Sequence, residues 1–223
     1  MEDITYRAVR LLSEVDLIAA EDTRTSKKLL DRYKIDTPMT SYHEHNKLDK
    51  AKTLIDKLLD NQDIALITDA GTPGISDPGE ELVAMCYDND IDVMSIPGPA
   101  AFVTAVTSSG LTCRRIAFEA FLPKDKKYRV HVLEEISKES RTIVIYESPH
   151  HLKATLKDLG NVLEYERPLT VTRELTKLHE EIVEGTAAEM RDEFAGRDKV
   201  LGEFAVFISG IKKAQLSEEK ADN

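Results

Sequence analysis

This 223-residue sequence carries few of the features that usually announce a function. It has two cysteines, Cys86 and Cys113, and no CxxC pair. That argues against a disulfide framework or structural zinc and fits a reducing cytoplasm. No apolar run approaches the length of a membrane span, and no secretory signal is evident. There is no GKS or GKT phosphate loop, no GxGxxG and no GxSxG. Nucleotide hydrolysis and Rossmann dinucleotide binding therefore lack support. Positive charge is also short, at 30 Lys and Arg against 41 Asp and Glu, for a net charge of -11. A non-specific nucleic-acid binder is usually basic, so any such contact here must use a local patch. No internal repeat or low-complexity segment is present.

What is present begins with Leu66-Ile67-Thr68-Asp69-Ala70-Gly71-Thr72-Pro73-Gly74-Ile75-Ser76-Asp77-Pro78-Gly79. An apolar run over 64–67 reads as a buried strand. It stops at an acid, and two Pro-Gly turns follow. Gly at the third turn position takes a positive φ without steric cost. In an open α/β sheet, a loop at the carboxyl end of a strand is where ligands bind, and glycine lets them approach the backbone. A plainer reading covers part of it, with Asp77 as N-cap, Pro78 at N1 and Glu80 at N3 of a helix. That leaves Asp69, Gly71 and the first turn to a ligand.

Hydrophobic residues make up 41% of the chain, enough for a sizeable core. The first half alternates strands with helices. Helical spacing covers 3–15 behind Asp3 as cap, 26–33 and 47–59; strands are expected at 15–20, 64–68 and 93–96. A helix is expected at 80–87, and Pro97-Gly98-Pro99 opens another that runs to 109. This pattern predicts an α/β fold with a parallel sheet built from βαβ units. After Gly110 strands are expected at 116–122, 142–146, 169–172, 181–183 and 204–208, with helices over 124–137, 149–163 and 186–194. This half predicts a mixed sheet. The expected domains are 1–113 and 114–223, with a polar tail fraying from Lys212.

Three polar loops follow first-half strands: Glu21-Asp22-Thr23-Arg24, the Asp69 loop, and Pro97-Gly98-Pro99. In a parallel sheet they gather at one edge, although Asp22 and Arg24 also read as a simple pair. Tyr146-Glu147-Ser148-Pro149-His150 and Arg173-Glu174-Leu175-Thr176-Lys177 end second-half strands, which predicts a cleft between domains. His43 and His45 have strand spacing that suits a metal, but no third ligand is evident. His150 and His179 are better site candidates. Basic residues cluster at Arg24, Lys27, Lys28, Arg32 and Lys34, and again at Lys124, Lys126, Lys127 and Arg129. Either cluster is a solvated surface or a phosphate contact.

Ala19-Ala20-Glu21-Asp22-Thr23-Arg24, the 68–79 loop, Ile96-Pro97-Gly98-Pro99, Phe121-Leu122-Pro123, Tyr146-Glu147-Ser148-Pro149-His150 and the segment Arg173-Glu174-Leu175-Thr176-Lys177-Leu178-His179-Glu180-Glu181 together resemble a known family. It is the bacterial ribosomal RNA small-subunit methyltransferase I family, in the tetrapyrrole methylase superfamily. The motifs occur in order over residues 2–210. The resemblance implies a two-domain α/β enzyme that uses S-adenosylmethionine to methylate the ribose 2′-oxygen of a cytidine in small-subunit ribosomal RNA. It also implies a homodimer, a folded cofactor in the interdomain cleft, and an RNA partner within an assembled particle.

Carried onto this sequence, the resemblance implies that Asp69, Ala70, Gly71, Thr72, Pro73, Ser76 and Asp77 line the cofactor pocket. Pro97, Gly98 and Ala100 would form its second wall, and Tyr146, Glu147 and Ser148 would close it. Lys177 or His179 would assist loss of the hydroxyl proton. Arg24, Lys27, Lys28, Lys126 and Lys127 are the expected RNA contacts; no metal is expected. Relatives begin with an additional strand and a glycine-containing loop, so the fold is expected to lack its first strand and part of the cleft wall; their C-terminal tails also run longer. Two rivals stay open: a small-molecule methylase for a tetrapyrrole-like substrate, and a ribosome-assembly binding protein that has lost catalysis.

Overall fold

The computed structural model describes residues 1–211 and forms two compact units, Met1–Ala100 and a second beginning at Ala101. The tail expected to fray from Lys212 lies outside the described residues.

The first unit holds α1 (Tyr6–Glu14), β1 (Leu17–Ala20), α2 (Thr23–Tyr33), β2 (Met39–Ser41), α3 (Lys47–Leu59), β3 (Ile64–Ile67) and α4 (Glu80–Asp88). Its strands form a parallel sheet in the order β2-β1-β3, with Ala20 opposite Ser41 on one side and Ile67 on the other. The two-residue period of β1 divides its side chains between two cores. Ile18 and Ala20 meet Leu12 of α1 and Leu30 of α2. Ala19 meets Leu54 of α3 and Leu82 of α4 on the other face. Each fully buried leucine is worth about 1.5–3 kcal/mol over exposure.

Several boundaries differ from the sequence expectation for local reasons. Thr5, not Asp3, caps α1, its hydroxyl accepting from Ala8 N at 3.2 Å. Helix α2 begins at Thr23 because Asp22 accepts from Arg24 N at 2.8 Å. Gly79 rather than Asp77 precedes α4, so Pro78 lies outside the helix. Gly79 has φ +156°, which other residues rarely adopt, and a Cβ there would stand 3.0 Å from Leu66 Cδ2, so glycine suits this turn against β3. The expected strand at 93–96 does not form: these residues have no ladder partner, and Val93 and Met94 are exposed. Apolar composition without a neighbouring strand does not make a sheet. Conversely, β2 is too short and polar to have shown a period.

The second unit comprises α5 (Ala101–Ser108), β4 (Ile116–Phe121), α6 (Lys126–Lys138), β5 (Thr142–Glu147), α7 (Leu152–Val162), β6 (Pro168–Arg173), β7 (Glu181–Thr186), α8 (Ala187–Gly196) and β8 (Phe204–Ile208). Its sheet runs β4-β5-β8-β6-β7, with β4 and β5 parallel and the other pairs antiparallel, as a mixed sheet should. Alternation again sorts the strands. Ile143, Ile145, Val206 and Ile208 face Leu133, Leu156 and Met190 of the helical layer. Val144, Ala205 and Phe207 face Ala105 and Val106 of α5. Phe102 packs edge-on against Phe118 at 4.9 Å. Thus α5 belongs with the second sheet, and the division falls at Ala100 rather than near Cys113.

Arg167 is buried inside this unit. It donates to the carbonyls of Ser209 at 2.7 Å, Ser137 at 2.5 Å and Glu139 at 2.8 Å. Burial pulls its guanidinium below the usual arginine range. No helix among the described residues is long and apolar enough to cross a membrane.

Candidate functional site

In the first unit, parallel strands deliver their following loops to one end of the sheet, and hydrogen bonds tie these loops together. Asp22 N donates to Asp69 Oδ1 at 3.2 Å, and Asp69 N donates to Glu21 Oε2 at 3.2 Å. Thr72 Oγ1 donates to Pro99 O at 3.0 Å. Thr5 Oγ1 donates to Pro97 O at 3.3 Å. The loops after β1 and β3 and the 97–99 segment are therefore one structure. Sequence reasoning had gathered these loops but missed Glu21 and Thr5 as their ties. The acid directly after β1 was the available signal for Glu21; nothing local marked Thr5.

The close approach centres on Gly71. Its φ is +84°, and a Cβ there would stand 3.3 Å from Pro99 O. Gly74 has φ +80° and open space around it. Thr68 Oγ1 faces the carbonyls of Ala70 and Gly71 at 3.4 and 3.3 Å, which holds the first turn. Asp69, Ala70, Gly71, Ser76, Pro97 and Gly98 are exposed, and Thr72, Pro73, Asp77 and Ala100 are half-buried. Ser76 keeps φ at +68°. An apolar groove of about 400 Å³ runs behind the loop along Leu66, Val83 and Tyr87, and Pro73 and Gly74 of the loop's first turns line it.

In the second unit, two polar strand ends flank the start of β8. Glu147 and Arg173 both pair with Phe204, one on each side. Glu147 is buried, and each oxygen of its carboxylate accepts a hydrogen bond, from Ser148 N at 2.7 Å and Thr155 Oγ1 at 2.5 Å. Arg129 Nη2 donates to the same Thr155 hydroxyl at 2.9 Å, and Arg129 Nε to Asp158 at 2.9 Å. Glu147 thus acts inward, as a post for the chain at Ser148. Ser148 Oγ is shielded from solvent and has no hydrogen-bond partner among the described residues. The Tyr146 ring packs edge-on against Phe118 and Phe121.

Lys177 lies between Glu174 Oε1 at 3.1 Å and Glu203 Oε2 at 2.8 Å. Burial pulls its pKa down, but the bonds to Glu203 and Glu174 prevail and raise it. An ammonium so held is a poor proton acceptor. His150 and His179 are exposed. Of the basic candidates, Arg24 is bound to Asp22 at 2.7 Å, and this bond holds the Asp22 carboxyl at about 2. Lys27 pairs with Asp31 on the surface of α2. Lys28, Lys126 and Lys127 are exposed and make no ion pair among the described residues. His43 and His45 sit in the loop after β2, their rings 6.0 Å apart. Among the described residues no group of three His, Cys, Asp or Glu side chains is placed to hold a metal.

Comparison with known proteins converges. The family model for tetrapyrrole (corrin/porphyrin) methylases matches residues 1–191. A protein of Synechocystis named ribosomal RNA small subunit methyltransferase I is 50% identical, covering 97% of this chain and 78% of that protein. A Thermotoga maritima protein of the same name is 42% identical, covering 94% and 93%. Among solved structures, cobalt precorrin-4 methyltransferase, a cobalamin biosynthetic enzyme, superposes with a TM-score of 0.67 at 16% identity over 93% of this chain and 89% of that one. Uroporphyrin-III-C-methyltransferase of Thermus thermophilus gives 0.65 at 16% identity over 98% and 92%. These two likenesses establish the fold. The family model and the residue identities with the curated relatives place the chain in the tetrapyrrole (corrin/porphyrin) methylase family, among the ribosomal RNA small subunit methyltransferase I proteins.

Proposed function

We propose that this chain transfers a methyl group from S-adenosylmethionine to the ribose 2′-oxygen of a cytidine in small-subunit ribosomal RNA. The observation that carries the RNA substrate is identity of 42–50% with like-named proteins over nearly the whole chain. S-adenosylmethionine is the methyl donor of the family. The loops tied at Asp69, Thr72 and Pro99 fit such a donor: a glycine with positive φ leaves room at the backbone, and turn carbonyls suit a cation. The shielded, unpartnered Ser148 Oγ fits a polar ligand group as well. When bound, the donor supplies an electrophilic methyl group on a sulfonium.

In this reading Asp69, Ala70, Gly71, Thr72, Pro73, Ser76 and Asp77 hold the donor with Pro97, Gly98 and Ala100. Glu147 braces Ser148, and Tyr146 stands beside it. Transfer then needs mainly an in-line oxygen at about 3 Å and an outlet for its proton. Lys177, kept positive by its carboxylates, serves phosphate rather than accepting that proton. Lys28, Lys126 and Lys127 supply unpaired charge for the RNA backbone, with Arg24 and Lys27 behind their acids. The chain works in the cytoplasm as a homodimer on an assembled small subunit.

The test is transfer of labelled methyl groups to small subunits from cells lacking the enzyme, followed by mapping. The expected product is one 2′-O-methylated cytidine. Transfer to a tetrapyrrole with none to subunits overturns the reading. Charge reversal at Lys28, Lys126 and Lys127 is expected to flatten the salt dependence of RNA binding while cofactor affinity holds. An unchanged slope returns these lysines to ordinary solvated surface.

A further inference from the structure

The loop between β2 and α3 carries two histidines that the reading above leaves without a role. Because Ala20 pairs with both Ser41 and Ile67, residues 42–46 leave the sheet at the same end as the Asp22 and Asp69 loops. This loop is held in place. Tyr42 is fully buried, and its amide donates to Ala20 O at 2.8 Å. Asn46 Oδ1 accepts from His43 N at 2.8 Å, and Asn46 Nδ2 reaches Ser41 Oγ at 3.3 Å. The two nitrogens of the His43 ring differ. Nδ1 is shielded from solvent with no partner, whereas Nε2 is neither shielded nor hydrogen-bonded among the described residues. His45 is exposed beside it.

Methyl transfer to a hydroxyl needs a proton acceptor, and an imidazole with one open nitrogen is suited to that task. Lys177 is occupied by Glu174 and Glu203. We propose that His43 accepts the proton of the hydroxyl substrate through Nε2, with His45 flanking the same substrate; this rests on the methyl-transfer reading. The hydroxyl oxygen bonds to the methyl carbon as the carbon–sulfur bond breaks. That bond's electron pair stays on sulfur, leaving a neutral thioether, and the hydroxyl proton passes to Nε2 and then to solvent.

Among the described residues, the titratable and charged groups on or beside this loop are Tyr42, Glu44, His45, Lys47 and Glu81 of α4, with Glu21, Asp22, Arg24 and Asp69 in the loops at the same end of the sheet. Lys47 bridges Glu44 at 3.0 Å and Glu81. Its hydrogen bonds to Glu81 and Glu44 raise its pKa above the usual lysine range, and Arg24 holds Asp22 far below neutrality. Neither changes charge between about pH 6 and 9.

The experiment measures methylation of small subunits by the full chain carrying His43→Gln, His43→Ala or His45→Ala. For both His43 variants kcat is expected to fall about 100-fold or more while KM and cofactor affinity stay within about twofold. The acidic limb of the kcat–pH profile should flatten, and added imidazole should restore turnover to His43→Ala. His45→Ala should keep that limb. Unchanged kcat, a rise in KM alone, or a retained acidic limb without imidazole rescue overturns the proposal; circular dichroism identifies a misfolded variant, and His43→Gln then decides. If the wild type spares subunits but methylates another hydroxyl acceptor, the ribosomal reading fails alone, and the same variants on that acceptor decide His43.

Discussion

The two units use their sheets differently. In the first, all three strands run the same way, so every following loop leaves at one end and the loops bind one another through Asp69 and Thr72. The cost is a thin sheet, with every position of β3 only half-buried. In the second, antiparallel pairing sends connections to both ends, and the core is deep: all five residues of β8 are buried. Only where β5 and β6 run alike, on either side of β8, do polar ends gather, at Glu147 and Arg173. Strand direction decides where chemistry collects, and strand burial decides what holds it.

The sharpest break in this comparison comes from Arg167. Arg167→Met strips the donors from three carbonyls and is expected to cost about 3 kcal/mol of stability by urea unfolding. A loss below half of that would mean the second unit does not depend on its buried guanidinium.

Gly71→Val tests the other side. A β-branched residue at φ +84°, crowding Pro99 O, should weaken cofactor binding about 100-fold by calorimetry. Urea stability should fall far less than for Arg167→Met. Near-normal affinity removes the loop from the cofactor site.

Thr155→Val asks whether the second unit's core also supports a site. It leaves Glu147 Oε2 and Arg129 Nη2 without their shared hydroxyl, at a cost of about 2 kcal/mol. Cofactor affinity should drop with stability, and Thr155→Ser should recover both. Loss of stability with intact affinity would make the Glu147 network purely structural.

The smallest effect is at Glu139. The Arg141 guanidinium holds its carboxyl at about 2, against an ordinary value of 4.5. A lowered carboxylate contributes above its unfolded value and loses that contribution as pH falls through 4.5 towards 2. Glu139→Gln should therefore cost under about 1 kcal/mol at pH 7 and nothing near pH 2. A cost that persists at pH 2 would assign it to packing.

Legibility followed the range of the forces involved. Periodicity marked α3, whose buried Ala51, Leu54 and Ile55 lie on one face, and the apolar run of β8. Turn chemistry marked the Asp69–Gly79 loop before any coordinates. The strand expected at 93–96 failed because a strand needs a neighbour, and composition does not state who the neighbours are. Glu147 reads in sequence as one more acid in a polar loop; only its bonds to Ser148 N and Thr155 show that it faces inward. His43 and His45 showed in sequence only a strand spacing with no third metal ligand beside it; the hydrogen bonds of Tyr42 and Asn46 that fix their loop belong to the fold.

The sequence by itself determined the fold class, the order of most elements, and the loops at strand ends, because hydrophobic period and Pro-Gly turns act over a few residues. Tertiary structure decided the rest: which loops touch, which charges are already paired, and which nitrogen of His43 stays open. Those are properties of contacts between distant residues, such as Asp22 with Asp69 or Thr72 with Pro99, and they exist only once the sheet has aligned its strands.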